Sequence, residues 1–459
     1  MSSTVSLPLR LEKLLGGGRV QVSESVLQTF GIAGPAPMAV LKPHSPDEVA
    51  EIVSFAVAEN LAVLACGSRS KLGLGLPPSR YDLALDMTDL RQIAHYDPGD
   101  LTVSVDAGMP LLELAKVLGA KNQFLPLAVP FPATSTIGGA IASGIDSVLR
   151  QQYGTARDFL IGAEFVDGTG KKCKSGGRVV KNVTGYDLHK LLIGSLGTLG
   201  VITRLNFRTF PLPESRGAHR STFPTLESAL NFHSALLKSG LPFSNLELFD
   251  AEFATLLAAS LGKASGARTS LGAGGWQVVA CFEGSVAVIH RIRRELMERS
   301  GRMQALSSES IDSQPAQQLE AAFREAFDWL RRAAPSVALL RIVLPRIASG
   351  DVPDLLNGSQ PPLQRSAFTL RACGVAYLAL LADEEDAQAN AALEREVTRL
   401  FSSAAEKKAS ATLLHAPLWL RERAGVWGAK RADFQMMQRV RQAFDPHNIF
   451  APGRFVGGI

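Results

Sequence analysis

Cysteine is scarce and scattered in this chain. Its 459 residues hold four, Cys66, Cys173, Cys281 and Cys373. None pairs with another at CxxC spacing, which excludes a zinc or iron–sulfur site built within the chain and suits a reducing compartment. No run approaches the ~20 apolar residues that a membrane span needs. Residues 1–15 include Glu12 and lack an apolar stretch ending in a small-residue cleavage site, so no signal peptide is expected. These absences point to a cytoplasmic protein without direct membrane insertion, peripheral to the inner membrane only through partners. Blocks of Lys and Arg are missing too. The formal charge of +5 is spread along the chain, which argues against nucleic acid and weakly for an anionic ligand such as a phosphate-bearing cofactor. The P-loop spacing GxxxxGK[ST] is absent. In Gly73-Leu74-Gly75-Leu76-Pro77-Pro78, proline stands where a dinucleotide-binding helix would begin, so a Rossmann site is not supported either. His219, His233, His290 and His415 are isolated, and no metal site is expected.

What is present is globular: 46% hydrophobic and 20% charged residues in a length too great for one simple core. Ser45 is a good N-cap, Pro46 suits the first helical position, and Asp47 and Glu48 complement the helix dipole, so a helix of about four turns is predicted. An apolar run over 61–65 reads as a buried strand that opens into a small-residue loop. Further strands are expected over 83–86 and 101–105, and a helix over 110–118. The Asp167-Gly168 step suits the positive dihedrals of a tight hairpin. Pro211-Leu212-Pro213-Glu214 interrupts the pattern and marks a boundary. Beyond it, helices are expected over 225–238, 286–300, 318–332 and 383–401, and strands over 246–249, 276–282, 337–344 and 375–381. The Gly/Pro/Ser-rich stretches 265–275 and 350–364 read as exposed loops. A helix over 431–443 and Asp445-Pro446 close the chain. The fold class is α+β, with an N-terminal extension (1–39), a glycine-rich domain (40–213), a second α+β domain (214–415) and a C-terminal segment (416–459).

Three glycine clusters dominate the first half: 67–75, 134–144 and 194–200. Glycine tolerates positive φ and lets a ligand approach the backbone, so successive amides can converge on phosphate oxygens. One such cluster can equally shape a turn. Three in one domain favour a ligand. The loop Gly67-Ser68-Arg69-Ser70-Lys71 adds two hydroxyls and two cations, the makings of a pyrophosphate nest.

Together the clusters resemble the FAD-binding domain of the vanillyl-alcohol-oxidase and p-cresol-methylhydroxylase family, over 42–213 and again from Phe444-Asp445-Pro446 to Pro452-Gly453-Arg454. The resemblance implies a two-part FAD-binding domain with a separate α+β cap over 214–415, and a 416–459 segment that returns to the FAD domain. Gly67, Ser68, Arg69, Ser70 and Lys71 would hold the pyrophosphate. Thr134, Ser135, Thr136, Ile137, Gly138 and Gly139, with Ser143 and Gly144, would continue around the diphosphate and ribityl chain. Gly200, Val201 and Ile202 would meet adenine through their backbone. The run Lys181-Asn182-Val183-Thr184-Gly185-Tyr186-Asp187-Leu188 looks like a signature of the hydroxy-acid dehydrogenases in this family. Leu196 stands where catalytic members carry Glu, a form similar to the FAD-binding subunits of glycolate-oxidase complexes.

By that resemblance the chain is an FAD-dependent oxidoreductase that converts a 2-hydroxy acid of the glycolate class to a 2-oxo acid, or relays its electrons. The alternatives are a scaffold subunit without turnover and a stand-alone alcohol or sugar oxidase. With no cysteines for a cluster, a paralogous FAD subunit and an iron–sulfur subunit are the implied partners. The 67–71 loop lacks the histidine that some members bond to flavin, so FAD is expected to be noncovalent. Arg341, inside the apolar run 338–344, must find an anionic partner and is a candidate for the substrate carboxylate, an ion pair being the competing reading. Lys181 and Asn182, between glycine turns, are expected near the flavin. Arg454 is the third catalytic candidate, against simple solvation at a chain end.

Overall fold

The computed structural model describes residues 6–178, 185–265, 274–345, 351–356, 365–430 and 432–459. Ser45 Oγ accepts the Glu48 amide at 3.2 Å and Pro46 lies in the first turn of the helix Pro46–Ala58. That helix buries Val49, Ile52, Val53 and Ala56 against a sheet ordered Val20–Gln21, Ala39–Leu41, Leu83–Asp86, Val63–Cys66, whose last three strands are parallel. An open edge at Val63–Cys66 would be an unsatisfied row of backbone groups. The end of the chain covers it: the Val63 amide donates to Ile449 O at 2.7 Å, the Ala451 amide to Val63 O at 2.9 Å, and Phe450 is buried in the same core.

A second, five-stranded antiparallel sheet runs Ile93–Asp97, Thr102–Asp106, Val201–Arg208, Leu160–Val166, Lys172–Gly176. Its hairpin turns at Asp167, as expected, but with a different role for the glycine. Positive φ falls on Gly170 (83°). Gly168 is needed because a Cβ there would lie 2.6 Å from the Asp445 Cα, where the C-terminal segment passes.

The second half is built on one eight-stranded antiparallel sheet, ordered Ser307–Ile311, Ser215–Phe223, Trp276–Gly284, Phe243–Phe249, Arg365–Arg371, Val375–Ala382, Ser336–Val343, Ser410–His415. Four of these strands (the first, second, fifth and eighth in that order) were not anticipated. Two segments expected as loops carry helix at their ends, Ala251–Ser265 and Asp351–Leu356. The helix expected over 318–332 begins at Ser313 and breaks at Glu325 into Ser313–Arg324 and Ala326–Leu330.

Side-chain alternation along these strands decides which residues meet the first domain. Ala338, Leu340 and Ile342 face one core together with Leu246, Leu248, Phe368 and Leu370. Val337 and Leu339 face the other, which also contains Leu74, Ile145, Val148 and Leu149 of the first domain. Arg341 and Arg371 fall on this second face by the same period of two. The strand pattern thus aims both arginines at the interface between domains.

Candidate functional site

The three glycine clusters, far apart in sequence, touch. A Cβ on Gly67 would lie 2.1 Å from Thr136 Oγ1, and one on Gly144 would lie 2.7 Å from the Gly194 Cα; only glycine allows the loops to approach so closely. Backbone bonds lock the arrangement: Gly194 N donates to Ile141 O at 2.9 Å and Leu196 N to Ala142 O at 2.8 Å. Between them runs a cleft of about 520 Å³ lined by Gly67, Ser68, Arg69, Ser70 and Lys71, by Thr136, Gly139 and Ser143, and by Leu196, Gly197 and Arg454. It continues into a space of about 370 Å³ bounded by Met87, Ala107, Gly138, Gly200 and Ile202.

The cleft is electrostatically incomplete. Lys71 Nζ has only neutral partners, Ser70 Oγ at 3.2 Å, Pro130 O at 3.5 Å and Ser135 Oγ. Burial pushes its ammonium down to about 8, a shift the more distant Glu325 only partly reverses. Arg454 Nη2 donates to Leu72 O at 2.6 Å, while Nη1 is buried with no partner. Burial, then the nearby Arg421, lowers its guanidinium to about 10. Arg421 Nη2 is likewise buried and unpartnered. Orphaned buried cations on this scale cost free energy unless an anion joins them. A dianionic diphosphate supplies that charge, so the residues present fit a dinucleotide. Arg69 is differently used: at φ 65° it turns its guanidinium over the Phe30 ring, 4.3 Å from the centroid.

Ser143 and Leu196 belong to two walls at once. Beyond them lies a space of about 670 Å³ between the domains, lined by Leu74, Gly75 and Ile145 on one side and Arg341, Thr412 and Leu414 on the other, with Trp427 and Phe455 from the C-terminal segment. Asp146 orients Arg341 by accepting from its Nε and also accepts from Arg150 Nη1 at 2.5 Å. Burial would raise the Asp146 carboxyl, but Arg341, Arg150 and Arg371 hold it below the usual range. Burial opposes the Arg341 charge as well, and Asp146 more than offsets it. Among the described residues neither Nη of Arg341 has a partner. Arg371, by contrast, is sealed: its Nε donates to the fully buried Glu247 at 2.8 Å and its guanidinium lies 4.8 Å from the Tyr377 ring centroid.

Sequence-predicted residues divide accordingly. Gly67 to Lys71, Thr136, Gly138, Gly139, Ser143, Gly200, Ile202 and Arg454 line the cleft, and Gly144 and Arg341 the space beside it. Thr134 is exposed, and Ile137 and Val201 are buried in core; none of the three lines either. Ser135 is buried as the hydroxyl that holds Lys71. Lys181 and Asn182 lie outside the described residues. Arg341 makes the ion pair of the competing reading through Nε and leaves its Nη atoms open among the described residues. Sequence reasoning missed Asp146, Glu325 and Arg421. Asp146 follows directly on the second glycine cluster, the one signal available for it; Glu325 acquires its role only from Lys71 and Phe131, more than a hundred positions away, and Arg421 only from the fold that brings it beside Arg454.

A glycine-lined, cation-rich cleft beneath an antiparallel cap defines a two-domain cofactor-binding protein. Residues 37–176 match the model of the FAD binding domain, and residues 212–455 that of the C-terminal domain of FAD linked oxidases. The chain belongs to the FAD-linked oxidases. It is 26% identical over 425 residues to glycolate oxidase subunit GlcD of Bacillus subtilis, covering 91% of this chain and 88% of that one. It is 34% identical over 223 residues to glycolate oxidase subunit GlcE of Escherichia coli, covering 48% of this chain and 63% of the other. The α+β fold is shared with p-cresol methylhydroxylase, with a TM-score of 0.74 at 14% identity over 97% of this chain and 95% of that one.

Proposed function

We propose that the protein binds FAD noncovalently and oxidises a 2-hydroxy acid, glycolate being the smallest of the class, to the 2-oxo acid, or relays the electrons of a sister subunit that does so. One observation carries this reading: a diphosphate-sized deficit of negative charge in one cleft adjoins, through Ser143 and Leu196, a space that presents an oriented arginine. When bound, FAD supplies a two-electron acceptor. The chain's part is to hold it and to position the acid. The amides of the 67–71 segment, with Lys71 and Arg454, would hold the diphosphate; the free Nη atoms of Arg341 take the substrate carboxylate in a charge-assisted pair. Oxidation also requires that the hydroxyl proton leave. Among the described residues the space beside Arg341 is lined by no carboxylate, histidine or lysine, which is why relay belongs to the proposal. Leu196 adds to that: it holds φ 53°, a conformation costing about 1 kcal/mol in a non-glycine residue, and places an apolar side chain at the junction of the two spaces.

Electrons must then pass onward, and a paralogous FAD subunit with an iron–sulfur subunit is the proposed destination, with peripheral attachment to the inner membrane through them. No described helix is long and apolar enough to cross a membrane. Noncovalent attachment fits the cleft chemistry: Cys66, at its wall, donates to Leu85 O at 3.5 Å, and burial pushes its thiol far up, away from the nucleophilic thiolate. Anaerobic addition of glycolate or lactate to the purified protein should bleach its yellow colour, and acid precipitation should release the flavin into the supernatant. Flavin reduced by light but by no hydroxy acid would leave only the relay, and a colourless protein with no saturable FAD uptake would sink the reading entirely.

A further inference from the structure

The cap-domain side of the space beside the cleft shows which acids fit. We infer that its ligand is a monocarboxylate with an apolar tail of several carbons, larger than glycolate and without a second charge. Its chemistry as a substrate rests on the hydroxy-acid reading above; its binding does not. Arg341, Thr412 and Leu414 share one face of the cap sheet, with Arg341 directly opposite Thr412 across the strand pair. A carboxylate on the two open Nη atoms of Arg341 therefore projects its remaining carbons past a hydroxyl toward Leu414 and toward the aromatic pair Trp427 and Phe455, whose rings pack edge to face at 5.7 Å. Both aromatics are only partly buried although they line an interior space, so each keeps apolar surface that a ligand can cover.

Among the described residues that line the space, Arg341 is the sole cation. Arg150 is committed to Asp146, and Arg371 is closed off by Glu247 and Tyr377. A dicarboxylate such as 2-hydroxyglutarate would bury its distal charge against leucine and aromatic rings without a partner, which is heavily disfavoured.

Calorimetric titration of the FAD-loaded protein with unreactive acids tests this without turnover. 4-Methylpentanoate should bind at least about 10-fold more tightly than acetate or glutarate, as expected when a tail of several methylenes enters an apolar pocket. Arg341→Met should abolish binding of all three while the protein stays yellow. Thr412→Arg, at a partly exposed position that tolerates a long side chain, should bring glutarate ahead of 4-methylpentanoate. Equal affinities, tighter binding of glutarate by the unmodified protein, or no binding of any acid would overturn the inference. If the affinity order holds but no 2-hydroxy acid bleaches the flavin, it is the oxidation reading that fails.

Discussion

The two domains treat buried charge in opposite ways. In the cap, buried Arg371 is matched by buried Glu247, and the half-exposed Arg365 and Arg399 are matched as well, by Glu252 with Asp383 and by Glu396. Around the cleft, Lys71, Arg421 and Arg454 have no carboxylate within salt-bridge distance among the described residues. A matched pair is part of the fold, and losing one member leaves the other stranded. An unmatched cation is poised for a ligand, and its cost is carried until that ligand arrives. These cap pairs are therefore complete in themselves, whereas the cations of the cleft are matched only when it is loaded.

The largest expected effect breaks the matched side. Arg371→Met leaves Glu247 buried and unpaired and should lower stability by about 3–5 kcal/mol in urea unfolding, with or without FAD. Arg454→Met should do the reverse to stripped protein, leaving its stability unchanged or higher, while weakening FAD binding about 100-fold in a fluorescence titration, the equivalent of about 2.7 kcal/mol. If Arg454→Met destabilises stripped protein as much as Arg371→Met does, the contrast between the domains is void.

Lys71 sharpens the comparison through pH. Its folded value near 8 lies below the ordinary 10.5, so between these values the unfolded chain binds more protons than the folded one. Stripped protein should accordingly gain stability as pH rises from about 8 toward 10.5. FAD affinity should move the other way, falling by up to about tenfold per unit above pH 8, since the diphosphate needs the protonated amine. Lys71→Met should flatten both profiles, and a wild-type affinity constant from pH 7 to 9.5 would remove Lys71 from the diphosphate site. The smallest effect belongs to Ser45→Ala: about 1 kcal/mol of stability from a lost helix cap, with FAD affinity unchanged.

Several local features were legible because they depend on neighbouring residues alone: the Ser45 cap, the strand ending at Cys66, the turn at Asp167 and the three glycine clusters. The unanticipated cap strands were not. Ser215–Phe223 contains His219, Arg220, Ser221 and Thr222, all of them buried, and its polar letters mimic a surface segment. Their burial is tolerable only because partners elsewhere in the chain meet them: Ser300 accepts or donates at 2.7 Å to Ser221 and at 3.1 Å to His219, and Glu309 pairs with Arg220 at 2.9 Å. The Glu325 break in a predicted helix coincides with a contact across the domain boundary, where its carboxylate accepts the Phe131 amide at 2.9 Å.

By itself the sequence determined which segments could bend sharply, which periodicities would bury a face, and that a phosphate-bearing ligand suits the first domain, because glycine placement and side-chain period are properties of short stretches of chain. Tertiary structure alone decided that Gly67 meets Thr136, that Gly144 crosses Gly194, and that Asp146 turns Arg341 so that its outer nitrogens remain open. Charge balance is a sum over neighbours in space, and neighbours nearly two hundred residues apart become visible only once the chain has folded.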